Sequence, residues 1–240
     1  REILEGTGAP CGAGKRDPKA PETPAFPNPR AWYWAQVDKV TAFLNRLRDE
    51  SGNPIPCVVR FFHEMEDDWM WWGPKSVSPE DFRRFCRETA EAFRRAVNGG
   101  RNLLFLYSPD RYWKDLDRYM TWYPGDDVTD IIGFDDYSIG VSNGTSTVEQ
   151  KLEVTIGKMR LVSEEARRRG KACGLIECGC YGPDVVDGFY SCLLKALSSD
   201  GVRFSFFNTW GVTAYTVPAR PAGIEDWKRY LADPRILTAP

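Results

Sequence analysis

The chain has 240 residues, 42% of them hydrophobic and 28% charged, which is enough apolar material for a sizeable core and excludes a disordered polymer. Its 32 basic residues stand against 34 acidic ones, for a formal net charge of -2, so there is no basic excess to hold a phosphate backbone and nucleic acid is not expected as a partner. No apolar run is long enough to span a bilayer, and Arg1-Glu2-Ile3-Leu4-Glu5-Gly6 is too polar for a secretory signal.

Residues 1–28 are rich in Gly and Pro and read as a long surface loop. Pro29 opens a helix expected to reach Leu47, with Trp34, Val37, Val40, Thr41, Phe43, Leu44 and Leu47 on its apolar side. The run 57–62 is β-branched and aromatic and reads as a buried strand. A helix over 79–97 follows, with Ser78 as N-cap, Pro79 at its first position and Gly99-Gly100 as its stop. Its apolar positions Phe82, Phe85, Cys86, Thr89, Phe93, Ala96 and Val97 recur at three- and four-residue steps. Strand 102–107 leads into a Trp- and Asp-rich segment with a short helix, and then strand 131–134. Ser146 and Glu149 form a capping-box pattern for a helix running to Arg169. Strand 172–176, a helix near 184–198, strand 202–207 and a helix over 224–232 complete the chain.

Strands alternating with helices, and strands that are almost continuously apolar, imply a parallel sheet covered by helices. A doubly wound sheet and a (β/α)8 barrel both fit that pattern. Polar and aromatic residues gather after each strand: His63-Glu64, Tyr107, Asp135-Asp136-Tyr137, Glu177 and Trp210. A barrel brings such ends to one rim. No glycine-rich phosphate loop follows a strand, which removes the main argument for a nucleotide-binding sheet. The expectation is therefore an α/β fold, a (β/α)8 TIM barrel of which this chain carries roughly the last five βα units. Three strands would precede residue 1, and residues 1–240 would form one catalytic domain incomplete at its N-terminus.

The chain's single histidine, His63, sits in the most informative segment: Arg60-Phe61-Phe62-His63-Glu64-Met65-Glu66-Asp67-Asp68-Trp69-Met70-Trp71-Trp72-Gly73. An acid beside flat aromatic rings suits sugar chemistry, because carboxyls move protons while aromatic faces stack on pyranose C–H faces. Charged residues interleave the tryptophans and argue against their full burial. Glu64 and Glu177 each follow an apolar strand directly, at the edge of the core, where desolvation raises a carboxyl pKa. Hydrolysis of a glycosidic bond needs such a pair. Gly140-Val141-Ser142-Asn143-Gly144 matches the serine-hydrolase elbow, but that mechanism needs a later histidine and the only one lies upstream. Asn143-Gly144-Thr145 is a glycosylation sequon. Of the seven cysteines, Cys57, Cys86 and Cys192 read as small buried thiols; a disulfide within Cys173, Cys178 and Cys180 stays open. With one histidine and no C-x-x-C pair, no zinc site is expected, nor any other metal or cofactor.

The segment from Arg60 to Gly73 resembles the R-P-F-H-E-M-N-G-x-W-F-W-W-G signature of glycoside hydrolase family 26, most of whose members are retaining endo-β-1,4-mannanases. Gly133-Phe134-Asp135-Asp136-Tyr137 resembles its G-F-D-x-Y strand end, Leu175-Ile176-Glu177-Cys178-Gly179 its nucleophile strand, and Phe207-Asn208-Thr209-Trp210 its last barrel strand. The resemblance implies that Glu64 is the general acid/base and Glu177 the nucleophile, their carboxyls about 5–5.5 Å apart. It further implies His63 and Asp135 as polar contacts to the sugar, Tyr137 as a partner of the nucleophile, and Trp69 and Trp210 as stacking walls. Trp72 joins the substrate-binding set, and Arg60 acts electrostatically on the carboxylates. Phe61 departs from the signature's Pro and Glu66-Asp67 from its Asn-Gly; extra negative charge there would raise the pKa of Glu64 or alter the subsite that touches the leaving sugar. The expected partner is β-mannan. The alternatives are another β-glycan (mixed-linkage β-glucan or β-1,3-xylan) and a catalytically silent carbohydrate-binding barrel. A secreted monomer, the ordered or sequenced part of a longer protein, is the expected form.

Overall fold

A computed structural model describes residues 28–140, 144–179, 187–210 and 220–237. The loop expected over 1–28, apart from Asn28, lies outside the described residues, as do Ser142, Asn143 and Cys180. The chain divides into two compact units: residues 1–109 with 117–130, and residues 110–116 with 131–240. Each is built from parallel βα units.

The first unit contains α1 (Pro29–Leu44), β1 (Cys57–Arg60), α2 (Pro79–Ala96), β2 (Leu103–Tyr107) and α3 (Leu116–Met120). Local chemistry sets the helix starts. The Asn28 side chain accepts from the Ala31 N–H, and the Ser78 side chain accepts from the Asp81 N–H, each followed by Pro at the first helical position. Glu80 and Asp81 in the first turn of α2, and Arg94 and Arg95 in its last, complement the helix dipole. β1 and β2 pair in parallel, Cys57 opposite Leu103 through Arg60 opposite Leu106. Phe82, Phe85 and Phe93 of α2 are buried with Phe62 and Phe105, and the Tyr33 hydroxyl meets Thr89 Oγ1 at 2.7 Å to tie α1 to α2.

The second unit contains β3 (Ile131–Asp135), α4 (Val148–Arg169), β4 (Ala172–Cys178), α5 (Phe189–Leu197), β5 (Phe206–Thr209) and α6 (Pro221–Leu231). Its strands pair in parallel in chain order. Leu152, Ile156, Met159 and Val162 bury one face of α4, which packs on β3 and β4 where Ile132, Phe134 and Leu175 are fully enclosed. Each such side chain contributes about 1.5–3 kcal/mol by leaving water. Gly133 lies opposite Gly174, and a Cβ on Gly133 would come within 2.3 Å of the Gly174 carbonyl oxygen. Only glycine permits that approach of β3 to β4. The Asp226 carboxylate of α6 accepts the backbone N–H groups of Tyr190 and Ser191, so α5 is capped by another helix rather than by its own preceding residue.

Several boundaries depart from expectation. α1 stops at Leu44, and its buried positions are Pro29, Tyr33, Val37, Thr41 and Leu44. Val40 and Phe43 lie outside, because Tyr33 rather than Trp34 sets the phase of the buried stripe. β1 is two residues shorter than 57–62 and half-exposed, with Val58 at 52%. Ala96 is exposed at the end of α2. The capping box of α4 sits one residue later, on Thr147 and Gln150, because both reciprocal bonds form there. β4 runs on through Glu177 to Cys178, β5 begins only at Phe206, and α5 begins at Phe189. Cys173, Cys178 and Cys86 are buried, and Cys57 and Cys192 are only half-buried. Tyr107 is no rim residue: its hydroxyl donates to the Tyr119 carbonyl at 2.5 Å inside the core, where burial pushes its pKa well up. Among the described residues, no helix is long and apolar enough to cross a membrane.

Candidate active site

The first unit carries five of the expected site residues, all on the end of β1 and the loop after it. The chain there is held in an unusual conformation. Phe62 has φ 58° and Glu64 φ 49°, both in the left-handed region that side chains with a Cβ rarely adopt. Two such residues cost on the order of 1–3 kcal/mol each and persist only where the surroundings over-determine them. They do so here. Phe62 is buried against Tyr33, Phe82, Phe85, Trp71 and Trp72, with ring centroids 4.7–6.3 Å away. The Glu64 N–H donates to the Ser108 carbonyl at 3.0 Å, and the Glu64 carbonyl accepts the Asp67 N–H at 3.1 Å. The Trp72 indole N–H donates to the His63 carbonyl at 2.7 Å. The turn is closed at Gly73, where a Cβ would lie 2.0 Å from the Asp67 carbonyl oxygen.

This clamp leaves Glu64 buried at 6% exposure, while Trp69 is 67% exposed. The His63 ring lies between Trp69 and Trp72, with centroids at 6.3 and 5.7 Å. Trp69 offers an open aromatic face, and its indole N–H donates to Asp67 Oδ2 at 3.3 Å. Trp72 is half-buried with its N–H committed to the chain, which suits support of His63 better than a stacking wall. Arg60 Nε donates to Ser108 Oγ at 2.7 Å, so Ser108 engages both the acid-bearing turn and its neighbouring cation. Ser108, at the end of β2, is absent from the sequence-based set; its place directly after an apolar strand is the signal that could have found it. Glu66 lines a cleft of about 610 Å³ with Pro74–Pro79, Asp81, Arg118, Thr121 and Trp122.

The second unit brings the other four together. Asp135 pairs with Glu177 across β3 and β4, one residue past a register shift in which Ile176 has no partner on β3. This bulge re-aims the strand at the point where the carboxylate sits. Tyr137 Oη donates to Glu177 Oε2 at 2.7 Å. A donor on a carboxylate oxygen fixes the side chain's rotation. The Trp210 N–H donates to the Cys178 carbonyl at 2.9 Å, which seats Trp210 beside the end of β4 with its side chain 47% exposed. Asp135 and Glu177 are buried at 0% and 7%. The unit therefore presents a buried, oriented carboxylate next to an open aromatic ring.

The chain has relatives among curated proteins and solved structures. It is 29% identical over 185 residues to a mannan endo-1,4-beta-mannosidase of Bifidobacterium adolescentis, a match covering 73% of this chain and 18% of that protein. It is 33% identical over 127 residues to one of Thermothelomyces thermophilus, covering 51% and 22%. Among solved structures, GH26C from a Muricauda species superposes with a TM-score of 0.77 at 27% identity, covering 86% of this chain and 56% of that one. An endo-beta-1,4-mannanase from Cellulomonas fimi superposes with a TM-score of 0.75 at 27% identity, covering 85% and 46%. The chain thus spans less than a third of these curated relatives and about half of the solved structures. Its parallel βα units are part of a (β/α)8 barrel fold. The profile of glycosyl hydrolase family 26 matches residues 30–210, three quarters of the sequence, and the chain belongs to that family.

Proposed function

We propose that the protein is a retaining endo-β-1,4-mannanase, secreted and monomeric, with residues 1–240 belonging to one catalytic domain. The observation that carries this reading is the Tyr137–Glu177 hydrogen bond: a buried carboxylate, held rotationally by a neutral donor, is prepared as a nucleophile rather than as a proton carrier. Family membership and the mannanase relatives support the substrate class.

In the first step the Glu177 carboxylate attacks the anomeric carbon while Glu64 gives its proton to the departing glycosidic oxygen. The C–O bond to the leaving sugar breaks as a glycosyl ester forms on Glu177. In the second step Glu64, now a carboxylate, takes a proton from water as that water displaces Glu177, releasing the product with its anomeric configuration retained. His63 and Asp135 hold sugar hydroxyls, Trp69 and Trp210 stack on the rings, and Arg60 tempers the charge of the carboxylates. Such a mechanism acts across a carboxyl separation of about 5–5.5 Å.

The second reading, another β-glycan, is favoured at one place. Glu66 and Asp67 stand where the family signature has Asn-Gly, Asp67 bonds Trp69, and Glu66 lines the adjoining cleft. Product profiling on mannan, mixed-linkage glucan and β-1,3-xylan tests the substrate. Mannan oligosaccharides as the main product confirm the first reading; preferential cleavage of either other polymer establishes the second. No hydrolysis, with binding intact, would establish a silent binding barrel.

A further inference from the structure

The nucleophile strand has a support that the reaction scheme leaves unexplained. Asp136 is 1% exposed and Thr155, on α4, is fully buried. Asp136 Oδ2 accepts the Thr155 hydroxyl at 2.7 Å. Its Oδ1 accepts the Ser138 N–H at 2.8 Å together with the Ser138 hydroxyl, and Lys158 of α4 interacts with it electrostatically. The backbone N–H of Asp136 donates to the Glu177 carbonyl at 2.8 Å. Tyr137 stands between Asp136 and Ser138, so its backbone is pinned on both sides while its hydroxyl reaches Glu177 Oε2. A buried carboxylate is costly unless its oxygens are occupied, and an apolar residue would fill the space more cheaply. What the carboxylate supplies instead is a fixed direction for the turn.

We propose that Asp136, seated on Thr155, is a positioning residue that holds the Tyr137 hydroxyl on the nucleophile. It touches no substrate, and its effect on turnover passes through Tyr137. This inference rests on the reading of Glu177 as nucleophile.

The test is kinetic, on the full protein with mannan oligosaccharides. Asp136→Asn and Thr155→Val are expected to lower kcat between about 10- and 100-fold with KM little changed, as a small misplacement of a catalytic group does. Thr155→Ser keeps the hydroxyl and is expected to restore the rate. Thr155→Val preserves the side chain's shape, so it carries the test if Asp136→Asn does not fold. The deciding variant is Thr155→Val combined with Tyr137→Phe. If Asp136 works through Tyr137, the pair is no slower than Tyr137→Phe alone; a merely structural role makes the two losses multiply. Multiplying losses, or a Thr155→Val enzyme as fast as wild type, overturn the inference alone. Full activity of Glu177→Ala overturns the nucleophile assignment and takes the inference with it.

Discussion

The two carboxylate-bearing turns are built by opposite means. Glu64 stands in a loop, itself left-handed like Phe62 two residues before it, and is held from outside by Ser108, by the Trp72 indole and by aromatic packing on Phe62. Glu177 stands within a strand, held by ladder pairing, a bulge and one side-chain donor. The strained loop is over-determined by contacts from distant segments, whereas the strand end is fixed by its neighbouring strand. In the mechanism proposed above, the first arrangement carries the acid/base and the second the nucleophile.

Breaking the two turns should have graded consequences. Glu177→Ala is expected to lower kcat on mannan by on the order of 10⁴-fold or more, measured against wild type under identical conditions, because the proposed mechanism forms its glycosyl ester on that carboxylate. Glu64→Ala should cost about 10²–10⁴-fold on mannan. The same variant should lose far less on an aryl mannoside whose phenolate leaves without a proton. Equal losses on both substrates would reverse the two roles.

Next come the backbone approaches that give each turn its shape. Gly73→Ala places a methyl group against the Asp67 carbonyl, and Gly133→Ala places one against the Gly174 carbonyl. Each should destabilise the fold by about 1–3 kcal/mol in denaturant titrations. The alanine at 73 should also depress kcat through Glu64. The contrast sharpens if Gly133→Ala, once folded at low temperature, leaves kcat closer to wild type.

Smaller effects lie further out. Thr147→Ala removes the bond from the Gln150 N–H to Thr147 Oγ1 that caps α4, the helix that seats Thr155, and should cost about 1 kcal/mol without altering KM. The smallest concerns Asp233, whose carboxyl is held down to about 2 by the Arg235 side chain. Its folded pKa lies below the ordinary carboxylate value of about 4, so its stabilisation is present above that value and fades as pH falls toward 2. Asp233→Asn should slightly flatten the acid side of the stability–pH curve and leave activity unchanged.

Much of this was legible in the order of residues. Ser78-Pro79 predicted a helix start to the residue, since a cap is satisfied by atoms three positions away. The burial of Glu64 and Glu177 was legible too, because each ends an apolar run of sequence, although Glu64 lies four residues past β1 and Glu177 lies within β4. Trp69 and Trp210, which the resemblance implies as stacking walls, are both exposed. The α1 stripe was misplaced because Tyr33, a polar-tipped ring, is buried through its bond to Thr89, fifty-six residues away. Asp136 was missed as a support for a like reason, since it acts through contacts that no local pattern encodes; Ser108 did carry a local signal, its place directly after the apolar β2.

By itself the sequence determined the alternation of strands and helices and the residue types at the strand ends, which follow from periodicities and caps that act within a few residues, while its signatures carried the resemblance to the family. Only the tertiary structure decided that Phe62 and Glu64 take left-handed backbones, that Ile176 bulges out of register before Glu177, and that Asp136 rests on α4. Each of these is unfavourable or neutral locally and is stabilised by partners distant in the chain, so it exists only once those partners are packed.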